Sequence, residues 1–523
     1  MSEQSRPERG GHSGGRRGGG QRGGRDGQRG GRRQQGGRRQ EYSAQRPSER
    51  SRTSDPQRLA AYTVMRAVAE GAYANLELPK VLREKRIHGR DAAFTTELVY
   101  GAIRLQGLYD PIIASAAGRP LSKIDANVLD TLRLGAHQLL GMRVPAHAAA
   151  DETVGLARRV NGAGAAGFVN AVMRRVSERP LDEWLTIVVP EGTATSARLA
   201  VEQSHPEWVV KAMRAALLGH RASTPDSVDT DLERLLEADN AAPKVSLVAR
   251  PGLADVEELV EAGAERSPLS PVAAVLTGGD PGGIPAVREG RAAVQDEGSQ
   301  LVALALAAVP VESDGRAGAE QWLDLCAGPG GKAGLLAALA LRAGADLTAN
   351  EVSPHRADLV RQTLRPAADR AAEQGRTLEV RTGDGRTVGE DEPGRYQRVL
   401  VDAPCTGLGA LRRRPEARWR RQPGDLADLG RLQRELLAAA IDATAPGGVV
   451  AYATCSPHLA ETQFVVSDTT KRRDDVEVLD ARPFLRDTSG EPVRDLGDGP
   501  TVQLWPHLHG TDGMFLALLR KRA

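Results

Sequence analysis

The sequence predicts an α/β protein. A doubly wound, mostly parallel sheet covers residues 291–523, preceded by an Arg/Gly-rich tail (1–54), an all-helical domain (55–185) and a small α/β linking module (186–290). Three observations predict this. After about residue 290, short apolar runs alternate with amphipathic helical stretches. Between 55 and 185, apolar residues recur at helical spacing. The first 54 residues hold 14 Gly and 14 Arg and almost nothing that can pack.

The tail contains Arg22-Gly23-Gly24-Arg25 and Arg29-Gly30-Gly31-Arg32, a composition expected to stay disordered and to contact RNA through charge and stacking. In the helical domain, Val128, Leu129, Leu132, Ala136, Leu139 and Leu140 follow Asp125, a candidate N-cap. Phe168, Val169, Val172 and Val176 form a second stripe. In the linking module, Val245–Val248 reads as a strand and the polar stretch 219–232 as a loop insertion. Beyond 290, strands are expected at Leu323–Leu325, Ala345–Val352, Leu378–Val380, Val399–Val401 and Val449–Ala453. Helices are expected at Gly331–Leu341 and through Leu429, Leu432, Leu436, Leu437, Ala440 and Ile441. Pro446-Gly447-Gly448 should stop the second of these.

Charge is uneven. The tail carries 14 Arg against 5 acidic residues, a net +9, so the remaining 469 residues sum to −7 within a total of +2. A basic tail on a mildly acidic body points to an anionic partner, nucleic acid foremost. No run of 18 apolar residues exists, so no membrane helix is expected. The N-terminus has no apolar signal core, and a cytoplasmic protein is expected. Only three cysteines occur, Cys326, Cys405 and Cys455. That is too few for a disulfide framework, and without a CxxC pair no metal site is expected.

The first turn of the sheet region reads Cys326-Ala327-Gly328-Pro329-Gly330-Gly331-Lys332, and Glu351 follows at the end of the next strand. Glycines there let backbone approach a ligand, and a carboxylate at that distance can accept from both ribose hydroxyls. A P-loop would need Gly where Cys326 stands and Ser or Thr where Ala333 stands. A nicotinamide site shares the turn and the acid. Gly383-Asp384-Gly385, after the following strand, favours S-adenosylmethionine, because a loop Asp can accept from the adenine amino group.

Asp402-Ala403-Pro404-Cys405 and Thr454-Cys455-Ser456-Pro457 each place a thiol just past a buried strand, at the same sheet edge as the cofactor turn. Thiolate addition to carbon 6 of cytosine turns carbon 5 into a nucleophile able to take a methyl group. Asp402, bonded to the N3/N4 edge of the base, would offset the charge that develops. A second thiol would assist release, and the base must swing out of its stack to reach the pocket. This chemistry leaves open which thiol attacks; a Pro-Cys turn is a nucleophile setting in DNA cytosine methyltransferases, which favours Cys405.

Taken together, Leu323–Lys332, Gly383–Arg386, Asp402–Arg414, Tyr452–Glu461 and Trp505–Phe515 resemble the NOL1/NOP2/Sun RNA cytosine-5 methyltransferases, closest to the ribosomal RNA small-subunit methyltransferase B (Fmu/Sun) branch. Residues 55–180 are similar to that branch's NusB-like RNA-binding domain. The resemblance implies a Rossmann-like catalytic domain, Cys455 as nucleophile, and Cys405 as the thiol aiding release. It implies adenosylmethionine contacts from Cys326, Ala327, Gly328, Pro329, Gly330, Gly331, Lys332, Glu351, Asp384 and Asp402. It also implies 16S rRNA or a small-subunit precursor as partner, with cytosine 967 in that RNA's usual numbering as target. The Arg412-Arg413-Arg414-Pro415 run fits a phosphate-contacting loop. Glu351 stands where Asp is common, and Glu461-Thr462 replaces a usual Glu-Asn. A monomer is the default expectation. Two other readings compete: a non-catalytic ribosome-assembly factor, and an enzyme acting on tRNA or another rRNA position.

Overall fold

A computed structural model describes residues 55–312 and 318–522. The tail at 1–54, with its expected disorder and RNA contact, lies outside the described residues. Helices fill residues 56–188. Asp125 caps Ala126–Leu140, its Oδ1 accepting from the amides of Asn127 (2.9 Å) and Val128 (3.3 Å). The buried stripe Val128, Leu129, Leu132 and Ala136 packs against Val169, Val172 and Val176 of Ala163–Ser177.

Helical structure continues past 188, through Thr195–Glu202, Glu207–Gly219 and Val228–Asn240. The 219–232 stretch is therefore not wholly a loop. Val228, Leu232, Leu235 and Leu236 repeat at helical spacing and are buried, and the polar residues between them face outward. Strands begin only at β1 (Val245–Ala249). With β2 (Ala264–Arg266), β3 (Ala273–Leu276) and β4 (Ala292–Val294) it forms an antiparallel sheet ordered β2-β3-β1-β4.

The large sheet holds β5 (Gln321–Asp324), β6 (Asp346–Glu351), β7 (Leu378–Thr382), β8 (Tyr396–Asp402), β9 (Thr444–Thr454), β10 (Val476–Leu479), β11 (Val502–Gln503) and β12 (Phe515–Lys521). Its order is β10-β12-β9-β8-β5-β6-β7, with β11 beside β12. β7, β6, β5, β8 and β9 are parallel, and β12 and β10 join antiparallel. Strand order reverses between β5 and β8, so the turns after these two strands open onto one crevice.

Successive residues alternate between two cores. Trp322, Leu400, Val449, Ala451 and Ala453 face the helices Glu297–Ala308, Gly331–Ala343 and Pro354–Glu373. Leu323, Val399, Val401, Val450 and Tyr452 face the helix Asp425–Ala443 through Leu436, Leu437 and Ile441. Burial on both faces is why these strands read as continuous apolar runs. Pro446-Gly447-Gly448 differs from expectation. The helix already ends at Ala443, and the three residues lie inside β9, where pairing with β8 shifts register after Tyr396. A local irregularity beside an otherwise regular ladder accommodates the proline.

The segment between β8 and the helix Asp425–Ala443 docks the sheet onto the helices. Buried Arg418 donates through Nη1 to Ser204 O (2.9 Å) and Asn240 Oδ1 (2.9 Å), and through Nη2 to Asp239 O (3.2 Å). Trp419 Nε1 donates to Ile103 O (2.9 Å), and Arg420 to Val68 O (2.7 Å). A buried guanidinium is tolerated here because carbonyl and amide oxygens surround it.

Candidate active site

β5 delivers the Gly-rich turn. Gly330, at φ 113°, is the N-cap of Gly331–Ala343, a backbone conformation L side chains rarely adopt. Gly328 passes so close to the end of β6 that an added Cβ would stand 2.3 Å from Glu351 Oε2. Instead, the Gly328 amide donates to that oxygen (3.1 Å), the Ser353 amide donates to Oε1 (2.8 Å), and Arg356 pairs with the same carboxylate (2.6 Å). Glu351 is thereby held at the strand end, the position expected for a ribose acceptor.

Carboxylates crowd this turn. Neither oxygen of buried Asp324 has a hydrogen-bond partner of good geometry, and burial, reinforced by Asp402, pushes its pKa up to about 8. Burial also raises the Cys326 thiol well above its usual range, and Asp324, Asp402 and Glu351 add to the shift. Cys326 is therefore a neutral wall residue. Lys332 Nζ donates to Asp402 Oδ2 (2.9 Å); burial would depress the ammonium, but Asp402 outweighs it and the pKa is raised. Asp384 sits on the neighbouring turn after β7 and is turned onto Arg386, whose hydrogen bonds (2.6 Å at the shortest) hold it below the usual carboxylate range. Like Glu351 with Arg356, it is paired with an exposed arginine, here one only two positions away.

The thiols converge at the ends of β8 and β9. Parallel pairing sets Asp402 opposite Ala453 and brings Cys405 Sγ to 3.4 Å from Cys455 Sγ. Both are half-buried. The shared hydrogen bond splits them. Cys455 is lowered from the usual thiol value, first by accepting from Cys405 and then by Lys332 and Arg414, against burial and Asp402. Cys405 is raised well above it, first by that same bond, then by burial and by the charges of Cys455 and Glu461.

The arginine run behaves differently from expectation. Arg413 Nη2 reaches Asp296 (2.8 Å) and its Nε reaches Asp512 (3.1 Å), while buried Arg412 donates to Gly510 O (3.0 Å) and pairs with Asp512 (3.4 Å). These two charges are spent inside the protein on residues more than a hundred positions upstream or about a hundred downstream, which no local reading of the run reveals. Arg414 is exposed, and its charge reaches Cys455. Sequence reasoning gave no role to Asp324, Thr406, Gln433 or Ser456, and named Glu461 only as the end of the matching segment Tyr452–Glu461 and beside the departure at Thr462. A hydroxyl residue after each cysteine was the signal available.

Asp324, Glu351 and Asp402 thus meet at one sheet edge, with Arg356 and Lys332 pairing the last two, beside a Gly-rich turn that lets backbone approach a ligand. The molecule is an S-adenosylmethionine-dependent methyltransferase with a Rossmann-like catalytic domain. A family model described as 16S rRNA methyltransferase RsmB/F matches residues 316–520, and one described as the NusB family matches residues 55–178. A Mycobacterium tuberculosis (strain H37Rv) protein bearing a methyltransferase name is 51% identical over 476 residues, covering 90% of this chain and 98% of that protein. Ribosomal RNA small subunit methyltransferase B of Pseudomonas putida (strain KT2440) is 32% identical over 481 residues, covering 89% and 98%. The crystal structure of PH0851 has the same fold, with a TM-score of 0.71 at 21% identity over 90% of this chain and 99% of that one. The chain belongs to the 16S rRNA methyltransferase RsmB/F family. Membership removes the assembly factor without catalysis from contention.

Proposed function

We propose that the protein methylates carbon 5 of a cytosine in 16S rRNA, cytosine 967 in that RNA's numbering, through a covalent bond from Cys455 to carbon 6. The observation that carries this reading is the pair of thiols 3.4 Å apart beside the carboxylate-lined turn. Cys326–Lys332, Glu351 and Asp402 would hold adenosylmethionine, with Asp384 joining once it leaves Arg386. When bound, adenosylmethionine supplies an electrophilic methyl group. Cys455, ionised with help from Cys405, Lys332 and Arg414, adds to carbon 6 and makes carbon 5 nucleophilic. Asp402 keeps one carboxyl oxygen on Lys332 and offers the other to the amino edge of the base. After methylation, the proton on carbon 5 leaves to a base. Its electron pair restores the 5,6 double bond, and Cys455 departs as thiolate. Cys405 assists this release from 3.4 Å away.

The helical domain docks the RNA, Arg414 meets a phosphate near the flipped base, and the protein acts as a monomer on small-subunit RNA in the cytoplasm. Bisulfite sequencing of 16S rRNA from a deletion strain tests the target. Loss of 5-methylcytosine at position 967 alone is expected, and full retention there sinks the assignment. The reverse reading, with Cys405 attacking, is supported by its Pro-Cys turn but opposed by the nearby Glu461 charge.

A further inference from the structure

Thr406 and Ser456 immediately follow the two cysteines, and both are buried. Their side chains meet at one carboxylate. Glu461, fully buried, accepts the Thr406 amide at Oε1 (2.7 Å) and both the Thr406 hydroxyl and the Ser456 hydroxyl (2.6 Å) at Oε2. Gln433 Nε2 spans Pro404 O (2.8 Å) and Glu461 Oε1 (3.3 Å), and the Tyr452 hydroxyl donates to the Glu461 carbonyl (2.7 Å). Every group aimed at the carboxylate is a donor. The carboxylate offers both oxygens to these groups, and the two hydroxyls also meet each other (3.1 Å), so the cluster is closed on itself. Backbone bonds join the two segments on either side of Cys405, from the Ala403 amide to Ala453 O and from the Gly409 amide to Cys455 O (2.9 Å each), and the Glu461 bridge adds a side-chain tie at the residues that directly follow the cysteines.

We propose that Glu461 is a positioning residue that clips the Cys405 turn to the Cys455 turn and so fixes the separation of the two sulfurs. Mutual placement matters more to release than to attack. Attack needs Cys455 and the base in register, whereas release needs both thiols in register with the same carbon atoms, and a displacement of about 1 Å costs on the order of 10²-fold. The inference rests on the two-thiol reading above.

The test uses full-length Glu461→Ala and Glu461→Gln with a 16S rRNA transcript and labelled adenosylmethionine. Single-turnover methyl transfer, multiple turnover and covalent protein–RNA adduct on denaturing gels are measured for each. In Glu461→Ala, multiple turnover is expected to fall at least tenfold more than single-turnover transfer, with adduct accumulating although both cysteines are present. Glu461→Gln, which keeps the shape and can bond the hydroxyls as a donor, should recover part of the loss. Should Glu461→Ala fold poorly, Thr406→Val and Ser456→Ala cut the clip from either side, and Thr406→Val should accumulate adduct more than Ser456→Ala. Equal loss in both kinetic regimes without adduct, or turnover within twofold of wild type, overturns the clip. Cys405→Ala separates the two ideas. If it traps no adduct, the two-thiol reading fails; if it traps adduct while the Glu461 variants behave as wild type, only the clip fails.

Discussion

The turn after β8 and the turn after β9 each present a half-buried thiol followed by a buried hydroxyl residue, on adjacent parallel strands. They differ in their charged surroundings. Lys332 and Arg414 act on Cys455, whereas the Glu461 carboxylate acts on Cys405. One shared hydrogen bond then moves the two thiols in opposite directions. Each pKa unit of such separation is worth about 1.4 kcal/mol between protonation states, so a modest asymmetry of charge biases the shared proton toward Cys405. In the proposed mechanism, similar residues in similar turns take different tasks through their surroundings.

The sharpest way to break this comparison is to remove each thiol. Cys455→Ala should abolish methyl transfer, by at least about 10³-fold, since the proposed attacking sulfur is gone; tritium release from labelled cytosine-5 in the RNA reads this step. Cys405→Ala should lower multiple turnover by about 10²–10⁴-fold and trap protein–RNA adduct on a denaturing gel. Adduct from Cys455→Ala and none from Cys405→Ala would reverse the two roles.

Cofactor binding provides the next contrast. Glu351→Ala leaves the Gly328 and Ser353 amides without their acceptor and removes the expected ribose partner. Loss of hydrogen bonds to a charged group, about 1.5–3 kcal/mol each, predicts a rise in the Kd of adenosylmethionine of about 10- to 100-fold, read by calorimetry, with RNA affinity unchanged.

The pH dependence sharpens the asymmetry itself. Alkylation needs thiolate, and Cys455 lies below the usual value of 9.0, so its labelling by iodoacetamide should rise with pH and reach half-maximum below 9.0. Cys405, raised above that value, should label only at higher pH. Methyl transfer should fall as pH drops through the Cys455 value. In Cys405→Ala the largest stabilising contact of the Cys455 thiolate is gone, so its midpoint should move upward. Peptide mass spectrometry of labelled protein follows both sites, and coincident midpoints in the wild type would remove the asymmetry. The smallest effect belongs to Arg414→Ala. An exposed charge contributes about 0.2–1 kcal/mol, so KM for RNA should rise up to about fivefold, with a shallower salt dependence.

Much of this was legible along the chain. Two-sided burial left the strands as short apolar runs, and parallel pairing then required their turns to share one edge, which brought Cys326, Lys332, Glu351, Asp402, Cys405 and Cys455 together. Asp125 declared a helix start because an N-cap is a local interaction over two or three residues. The 219–232 stretch was read in part: residues 220–227 form the expected loop, but 228–232 open a helix whose apolar face becomes evident only beyond position 232.

By itself, the sequence determined the fold class, the order of the strands' chemistry and the thiol pair, all of which follow from local periodicity and the rule that parallel strands end at one edge. Tertiary structure alone decided that Arg412 and Arg413 are consumed by Asp296 and Asp512 and that Glu461 bridges both cysteine turns. The physical reason is range. Electrostatics and hydrogen bonds act over a few ångströms of space, and here they join groups 50 or more residues apart in the chain, as in the cysteine pair itself.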